Sequence, residues 1–123
     1  MKVRVLVADD ASFMREMIRE IIEPEGFEVV GQASDGVEAV EAFERLRPDL
    51  VTMDIVMPRR SGIDAVQEIR SIDPTARVVM CSALGQETLV MEALAAGATD
   101  FVVKPFRPDA VLSTLRKVLE KDG

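Results

Sequence analysis

The chain has 123 residues, a formal net charge of −7, one cysteine and no histidine. A chain of this length can bury one hydrophobic core but not two, so we expect a single domain over residues 1–123. With 48% hydrophobic and 30% charged residues, its composition is that of an ordinary globular protein. The acidic balance disfavours general electrostatic binding to nucleic acid.

The absent residue types exclude several kinds of chemistry. Without histidine, the chain cannot use Ser-His-Asp or Cys-His catalysis or histidine-ligated zinc. The single cysteine, Cys81, lies in an apolar run and is expected to be a buried, inert core thiol. No apolar stretch approaches the roughly 20 residues that a bilayer span requires, and charged side chains interrupt the first ten residues. We therefore expect a soluble, cytoplasmic protein with no membrane partner.

Apolar runs alternate with amphipathic stretches along the chain. Short runs rich in β-branched residues predict strands over 2–8, 27–33, 49–54, 77–81 and 100–103. Apolar residues at helical spacing predict helices over 12–23, 36–46, 62–71, 86–96 and 108–121. Pro24 and Gly26 mark the end of the first helix, and Gly97 fits the C-cap of the fourth.

Five strand–helix units in one domain predict an α/β fold with a doubly wound, mostly parallel sheet and helices on both faces. Right-handed crossovers leave few topologies, of which the strand order 2-1-3-4-5 is expected. This order places the first and third strands side by side at the topological switch point. Ligands of such sheets bind there, outside the carboxyl ends of the strands.

Two adjacent carboxylates, Asp9 and Asp10, follow the first predicted strand, and Asp54 ends the third. Adjacent carboxylates repel by about 1 kcal/mol in water and by about 4 kcal/mol at a lower effective dielectric. A hard cation with oxygen ligands is the usual remedy. The alternative is that Asp10 caps the first helix while Asp9 is simply solvated.

Ser82 ends the fourth strand and Lys104 follows the fifth, so the topology predicts five polar groups at one edge of the sheet. Taken singly, Asp54 can be a strand terminator, Ser82 a turn former and Lys104 a solvated charge. Together, carboxylates without His or Cys favour Mg²⁺ or Mn²⁺ over zinc, while the lysine and the serine suit phosphoryl oxygens. Since an Asp carboxylate is a known phosphoryl acceptor, the set indicates phosphoryl transfer.

The chain resembles the receiver domains of two-component response regulators over essentially its whole length. The motifs that carry the resemblance are Asp9-Asp10, Met53-Asp54-Ile55-Val56-Met57-Pro58 with Ser61-Gly62, Cys81-Ser82-Ala83, and Phe101-Val102-Val103-Lys104-Pro105-Phe106. Several of them, with Ala83-Leu84-Gly85-Gln86, are most similar to CheY-type chemotaxis regulators, which stand alone without an output domain. The resemblance implies a flavodoxin/CheY-like fold.

The resemblance also implies a role for each residue of the edge. Asp54 would be phosphorylated by a phosphohistidine of a partner kinase. Asp10, Asp54 and the backbone carbonyl of Val56 would ligate Mg²⁺, with Asp9 acting through water. Lys104 would bind a phosphoryl oxygen. The protein would catalyse only its own phosphoryl transfer and hydrolysis, and would not act as an enzyme on other substrates.

A conformational switch is implied as well. Ser82 would swing toward a phosphoryl oxygen, and Phe101 would rotate inward and remodel the face of the fourth and fifth helices and the fifth strand, where targets dock. The peptide bond before Pro105 would be cis. Helical spacing adds Met91 and Ala95 to this docking face. The implied partners are a histidine kinase and a flagellar motor switch protein or other target. A phosphatase is a further candidate partner. The protein is expected to be a monomer.

Two positions depart from the family pattern. Phe101 stands where chemotaxis regulators often have tyrosine, so it can move but cannot hydrogen-bond a target. Val56 is apolar where some relatives place an amide or an acid, which predicts slower loss of phosphate. Arg59 and Arg60 are expected to form a solvated turn, with a partner contact as the alternative.

Three other functions remain open from the sequence. A receiver of another two-component pathway would share every motif. A flavodoxin-like carrier would share the fold, but the acidic pair would repel the flavin phosphate and no Trp or Tyr is present to stack on the ring. A Mg²⁺-dependent phosphatase could use an aspartyl nucleophile, but the short chain leaves no room for a substrate-selecting cap domain.

Overall fold

The computed structural model describes residues 2–120. Strands and helices alternate along the chain: β1 Val3–Ala8, α1 Ser12–Ile22, β2 Phe27–Ala33, α2 Gly36–Leu46, β3 Leu50–Asp54, α3 Gly62–Ile72, β4 Val78–Ser82, α4 Glu87–Ala96, β5 Asp100–Val103 and α5 Pro108–Leu119. A 3₁₀ turn at Glu23–Glu25 separates α1 from β2. Every predicted element is present, and the observed ends lie within one residue of the predicted ones. The end predicted for the last helix, at residue 121, lies outside the described residues.

The strands form one parallel sheet in the order β2-β1-β3-β4-β5, as predicted. Leu50 of β3 pairs with Val5 of β1, and Asp54 pairs with Cys81 of β4. This register brings the carboxyl ends of β1, β3 and β4 to one edge of the sheet. The sequence order reverses between β1 and β3, so the switch point lies where it was expected.

Two apolar layers cover the sheet because its side chains alternate between its faces. On one face Val5 and Val7 pack with α1 and α5, through residues such as Ile18 and Leu115. On the other, Leu6 packs with α2, α3 and α4, through residues that include Phe43 and Ile69. Both faces of the sheet are therefore covered by helices, which leaves its carboxyl edge as the place for polar groups.

Cys81 is a free, buried thiol in the first of these layers, as predicted. Burial raises its pKa to about 12, so the unreactive thiol form predominates at neutral pH. Among residues 2–120, no helix combines the length and the apolar character needed to cross a membrane.

Candidate functional site

The acidic pair lies directly after β1, where the backbone fixes the first of its members. The Asp9 N–H donates to the Ala33 carbonyl at 3.0 Å, and Asp9 Oδ1 accepts from the Ala11 N–H at 2.9 Å. Asp9 is buried, at 3% exposure, whereas Asp10 is exposed. The alternative that Asp10 caps α1 is wrong: Ala11 is the N-cap residue, and no side chain caps this helix.

Asp54 is the last residue of β3 and is also buried, at 8% exposure. The loop after it turns back sharply, since the Gly62 N–H donates to the Ile55 carbonyl at 2.8 Å. A Cβ at Gly62 would lie 2.0 Å from the Asp54 carbonyl oxygen, so only glycine fits this approach. Ser61 then caps α3 by accepting from the Asp64 N–H at 3.2 Å. The Ser61-Gly62 pair thus holds the start of α3 against the end of β3.

Asp9, Asp10 and Asp54 each offer a carboxylate oxygen within 4.8 Å of the others. Ligands of an octahedral Mg²⁺ lie about 2.0–2.1 Å from the ion, so opposite ligands are about 4 Å apart. The cluster is close to this spacing, and its donors are all hard oxygens. Within residues 2–120 it is the only group of three or more carboxylates or thiols that meets this spacing. The arrangement therefore fits one Mg²⁺ or a similar divalent cation.

Lys104 crosses the edge to contact two of these carboxylates. Its Nζ lies 2.9 Å from Asp9 Oδ2 and 3.3 Å from Asp54 Oδ2. Its backbone N–H donates to the Ser82 carbonyl at 2.7 Å, which extends the β4–β5 ladder. The peptide bond between Lys104 and Pro105 is cis, as the resemblance implied.

Burial and like charge act together on Asp54. Burial raises the pKa of its carboxyl, and the neighbouring charge of Asp9 raises it further, against the opposing effect of Lys104. Burial alone would lower the pKa of Lys104. The hydrogen bond to Asp9 and the charges of both carboxylates outweigh burial, so the pKa of Lys104 is raised and its ammonium stays protonated.

Ser82 and Phe101 both line an apolar groove of about 250 Å³ between α4 and β5. Met91 of α4 lies along the same groove and is 67% exposed. Phe101 is partly exposed at the side of the groove, in register with Met80 of β4. Ala95 is exposed on α4 but does not line the groove. Ser82 is buried. It ends β4 at the carboxyl edge of the sheet that holds the three carboxylates (the acidic edge), and it also lines the groove.

Arg59 and Arg60 lie on a solvent-facing bend, as expected, and both side chains also form ion pairs within the chain. Arg59 Nη1 lies 3.0 Å from Asp35 Oδ2, and Arg60 pairs with Glu68. Asp35 is buried, so the solvent-facing loop has a fixed partner. The sequence contained one signal for it: Asp35 precedes a helical pattern and is followed by Glu38, which is typical of an N-cap.

Arg15 of α1 is a second residue that the sequence analysis missed. Its Nη1 donates to the Asp9 carbonyl at 2.5 Å, and its Nε donates to Gln32 Oε1 at 2.9 Å. It thereby ties α1 and β2 to the backbone of the acidic pair. No spacing rule indicates this contact, since Arg15 reads simply as a polar position on an amphipathic helix.

Comparison with known proteins gives a consistent result. Residues 5–116 match the family described as the response regulator receiver domain. The chemotaxis protein CheY of Thermotoga maritima is 56% identical over 115 residues, which cover 94% of this chain and 96% of that protein. The chemotaxis protein CheY of Bacillus subtilis is 53% identical over 116 residues, which cover 94% of this chain and 97% of that protein.

Solved structures agree with these relatives. The response regulator domain of Thermotoga maritima CheB superposes with a TM-score of 0.92 at 39% identity, covering 100% of both chains. A chain of the CheX–CheY–BeF₃–Mg²⁺ complex from Borrelia burgdorferi superposes with a TM-score of 0.91 at 40% identity, covering 97% of this chain and 90% of that one. The family match spans most of the chain, and the relatives align over nearly their full length. The chain therefore belongs to the response regulator receiver domain family.

Proposed function

We propose that this chain is a phosphorylation-activated switch of a two-component chemotaxis pathway, phosphorylated on Asp54 by a histidine kinase. The observation that carries the proposal is the contact of Lys104 with both Asp9 and Asp54 at an edge that also holds Asp10. These groups come from three separate parts of the chain and meet at the topological switch point. The similarity to CheY proteins of several bacteria supports the chemotaxis assignment.

In this proposal Asp10, Asp54 and the backbone carbonyl of Val56 hold Mg²⁺, and Asp9 acts through water. Mn²⁺ has similar ligand preferences and can substitute. The bound cation would offset the negative charge of the acidic edge and of the phosphoryl oxygens. The three carboxylates support this role, because their oxygens already lie within 4.8 Å of one another.

The chain's own contribution to the reaction is a positioned nucleophile and a positioned cation. A carboxylate oxygen of Asp54 forms the new bond to phosphorus while the bond from phosphorus to the donor histidine nitrogen breaks. Lys104 is already in contact with Asp54, so its ammonium is in place to bind a phosphoryl oxygen. The protein catalyses only this transfer and the later hydrolysis.

The groove between α4 and β5 supplies the output. Ser82 turns toward the phosphoryl group, and Phe101 moves inward at the side of the groove that both residues line. A target such as a flagellar motor switch protein docks on this face, where Met91, Ala95 and Phe101 are accessible. The complex from Borrelia burgdorferi contains CheX bound to CheY, which favours a further partner protein, such as a phosphatase.

The proposed function also has consequences for the domain organisation, oligomeric state and cellular location of the protein. We assign residues 1–123 to one receiver domain that acts as a monomer. The single free thiol fits a reducing compartment, which supports a cytoplasmic location. A receiver of another two-component pathway is the remaining alternative, and it differs only in the identity of the kinase and of the target.

The first prediction tests the phosphorylation of Asp54. Incubation with acetyl phosphate and Mg²⁺ is expected to raise the intact mass by one phosphoryl group, because the proposed function places an aspartyl nucleophile beside a cation site. The Asp54→Asn variant should show no increase, whereas Asp64→Asn, at an exposed carboxylate of α3, should behave like the unmodified protein. No mass increase in the unmodified chain, or an equal increase in Asp54→Asn, refutes the proposed function.

The second prediction concerns the stability of the acidic edge without metal. A carboxyl whose pKa is raised by folding contributes stability below its unfolded pKa, and this contribution is lost as the pH rises through the folded value. Asn resembles the protonated form at every pH, so Asp54→Asn should increase the free energy of unfolding at pH 7. The expected gain is on the order of 1 kcal/mol and should shrink below about pH 4.

Urea unfolding with a metal chelator present measures this gain. Added Mg²⁺ should stabilise the unmodified protein more than the variant, because a ligand that binds only the folded state adds to stability. Glu44→Gln, at an exposed position of α2, serves as the control. It should change neither the free energy of unfolding without metal nor the increase that Mg²⁺ causes. A variant that is less stable than the unmodified protein at pH 7 without metal contradicts the prediction.

The third prediction concerns the lifetime of the phosphoryl group. The Val56 side chain is exposed at the edge of the site and has no group that can orient an attacking water. The Val56→Asn variant should therefore lose its phosphoryl group faster than the unmodified protein. The decay of the phosphorylated mass after removal of the donor measures both half-lives, and equal half-lives exclude this role for position 56.

The fourth prediction tests the docking face. A carboxylate at the exposed position 91 would lie in the apolar groove and would need to be desolvated when a target binds. Met91→Glu should weaken binding of the motor switch protein encoded by the same genome by about tenfold, while phosphorylation by acetyl phosphate stays normal. Gln67→Glu on α3 introduces the same charge away from the groove and is the matched control. Equal affinities for the two variants would place the docking surface elsewhere.

A further inference from the structure

The proposed metal ligands come from two segments whose strands pair as far as Ala8 and Met53, so Val56 lies beyond this ladder in the β3–α3 loop. Asp10 follows β1, whereas Asp54 and Val56 belong to the end of β3 and the loop after it. We propose that the ion pair between Arg59 and Asp35 positions the β3–α3 loop for cation binding, an inference that rests on the proposed function. Arg59 and Asp35 are positioning residues in this scheme, and neither contacts the cation.

Asp35 anchors one end of the link. Its Oδ1 accepts from the Glu38 N–H at 2.8 Å and so caps α2, while its Oδ2 accepts from Arg59 Nη1 at 3.0 Å. The residue is buried, at 5% exposure. The Glu38 N–H and the nearby Arg59 guanidinium hold the pKa of Asp35 below its usual range, which keeps the carboxylate ionised. A capped and buried carboxylate is a fixed point to which a loop can attach.

The corner that contains Asp35 is itself attached to the end of β1. The Asp9 N–H donates to the Ala33 carbonyl at 3.0 Å, and Ala33 pairs with Ala8 in the sheet. The turn that follows Ala33 leads directly to Asp35. The position of Asp35 is therefore set by the same strands that set the position of the acidic pair.

The loop has two further features that depend on this attachment. Arg59 adopts a φ of 66°, a left-handed conformation that is unfavourable for a residue with a side chain. The loop backbone also lies against the start of α2, since a Cβ at Gly36 would lie 2.1 Å from the Arg60 carbonyl oxygen. The ion pair and this close contact hold the same short segment, which begins three residues after the proposed Val56 ligand.

These contacts complete a path from β1 through the start of α2 to the β3–α3 loop. Metal sites depend on groups outside the ligand set that orient the ligands, and losing such a group typically weakens metal binding by about 10- to 100-fold. The Arg59–Asp35 pair occupies such a position between the two segments. We therefore expect its loss to widen the range of positions available to the Val56 carbonyl and to weaken cation binding.

Electrostatics gives the opposite expectation, which makes the test sharp. Arg59 carries positive charge close to an acidic site, and removing a cation near a metal site favours binding of another cation. On charge alone, Arg59→Gln should bind Mg²⁺ more tightly. The positioning role predicts weaker binding, so the direction of the change separates the two explanations.

The experiment is calorimetric titration of the unphosphorylated protein with MgCl₂. Arg59→Gln is expected to raise the Kd for Mg²⁺ by about tenfold, the low end for a group that orients ligands. Arg60→Gln removes the same charge from the neighbouring residue, whose partner is Glu68 rather than Asp35, and is expected to keep or lower the Kd. Arg59→Lys keeps a cation for Asp35, and its Kd for Mg²⁺ is expected to lie within about threefold of that of the unmodified protein.

Two further measurements make the result independent of folding defects. Arg59→Gln should speed hydrogen exchange at the Arg60 and Gly62 amides in metal-free protein, because these N–H groups donate within the loop. In the double variant with Asp35→Asn, the second substitution should raise the Kd for Mg²⁺ little beyond the effect of the first, since both substitutions remove the same contact. Asn keeps the capping oxygen, so α2 should remain formed.

The outcomes separate this inference from the proposed function. If the unmodified protein binds no Mg²⁺ and gains no mass with acetyl phosphate, the proposed function fails and this inference fails with it. If the unmodified protein does both but Arg59→Gln binds Mg²⁺ as tightly or more tightly, the positioning role alone is refuted. Weaker binding by Arg59→Gln, unchanged binding by Arg60→Gln and non-additivity with Asp35→Asn support it.

Discussion

The contact of one ammonium with two buried carboxylates is the constraint on which the site depends. Lys104 lies 2.9 Å from Asp9 and 3.3 Å from Asp54, and these groups are brought together only by the sheet. Asp10 adds a third carboxylate, so negative charge remains in excess at this edge. The raised pKa of Asp54 reports that excess, since burial and like charge both oppose ionisation there. A fold that keeps such a cluster retains an unfavourable interaction that a divalent cation can relieve.

Much of this arrangement could be predicted from the sequence because it follows from periodicity and topology. Alternating strands and helices predict the parallel sheet, and the sheet places Asp54 and Lys104 at the same edge. Contacts that depend on loop and side-chain geometry could not be predicted. The Arg59–Asp35 pair joins residues of two different loops, and Arg15 reaches a backbone carbonyl from an ordinary helical position. The sequence also did not decide whether Asp10 caps α1, because a carboxylate before a helix fits an N-cap and a metal ligand equally well.

Ser82 connects the acidic edge with the groove beside it. Its carbonyl accepts from the Lys104 N–H at 2.7 Å, and its side chain lines the groove together with Phe101. In the proposed function, a phosphoryl group on Asp54 draws Ser82 toward the edge, and the groove changes shape in response. Coupling of this kind requires an element with two arrangements that both sites favour differently. Phe101 can be that element, because it lies partly exposed at the side of a groove of about 250 Å³.

The carboxylates of the site are buried, whereas the surface that is proposed to bind a target is exposed. Asp9 is buried and held by hydrogen bonds from the Ala11 N–H and Lys104, and Asp54 is buried beside the same ammonium. In the proposed function, Lys104 exchanges a carboxylate oxygen for a phosphoryl oxygen at this position. Phosphoryl transfer depends mainly on positioning and charge neutralisation, and rigidity favours both. The groove, by contrast, is lined by apolar residues such as Met91 and Leu84 that are largely exposed. Apolar surface that the free protein leaves uncovered favours association with a partner, and in the proposed function Ser82 connects this surface with the phosphorylated carboxylate.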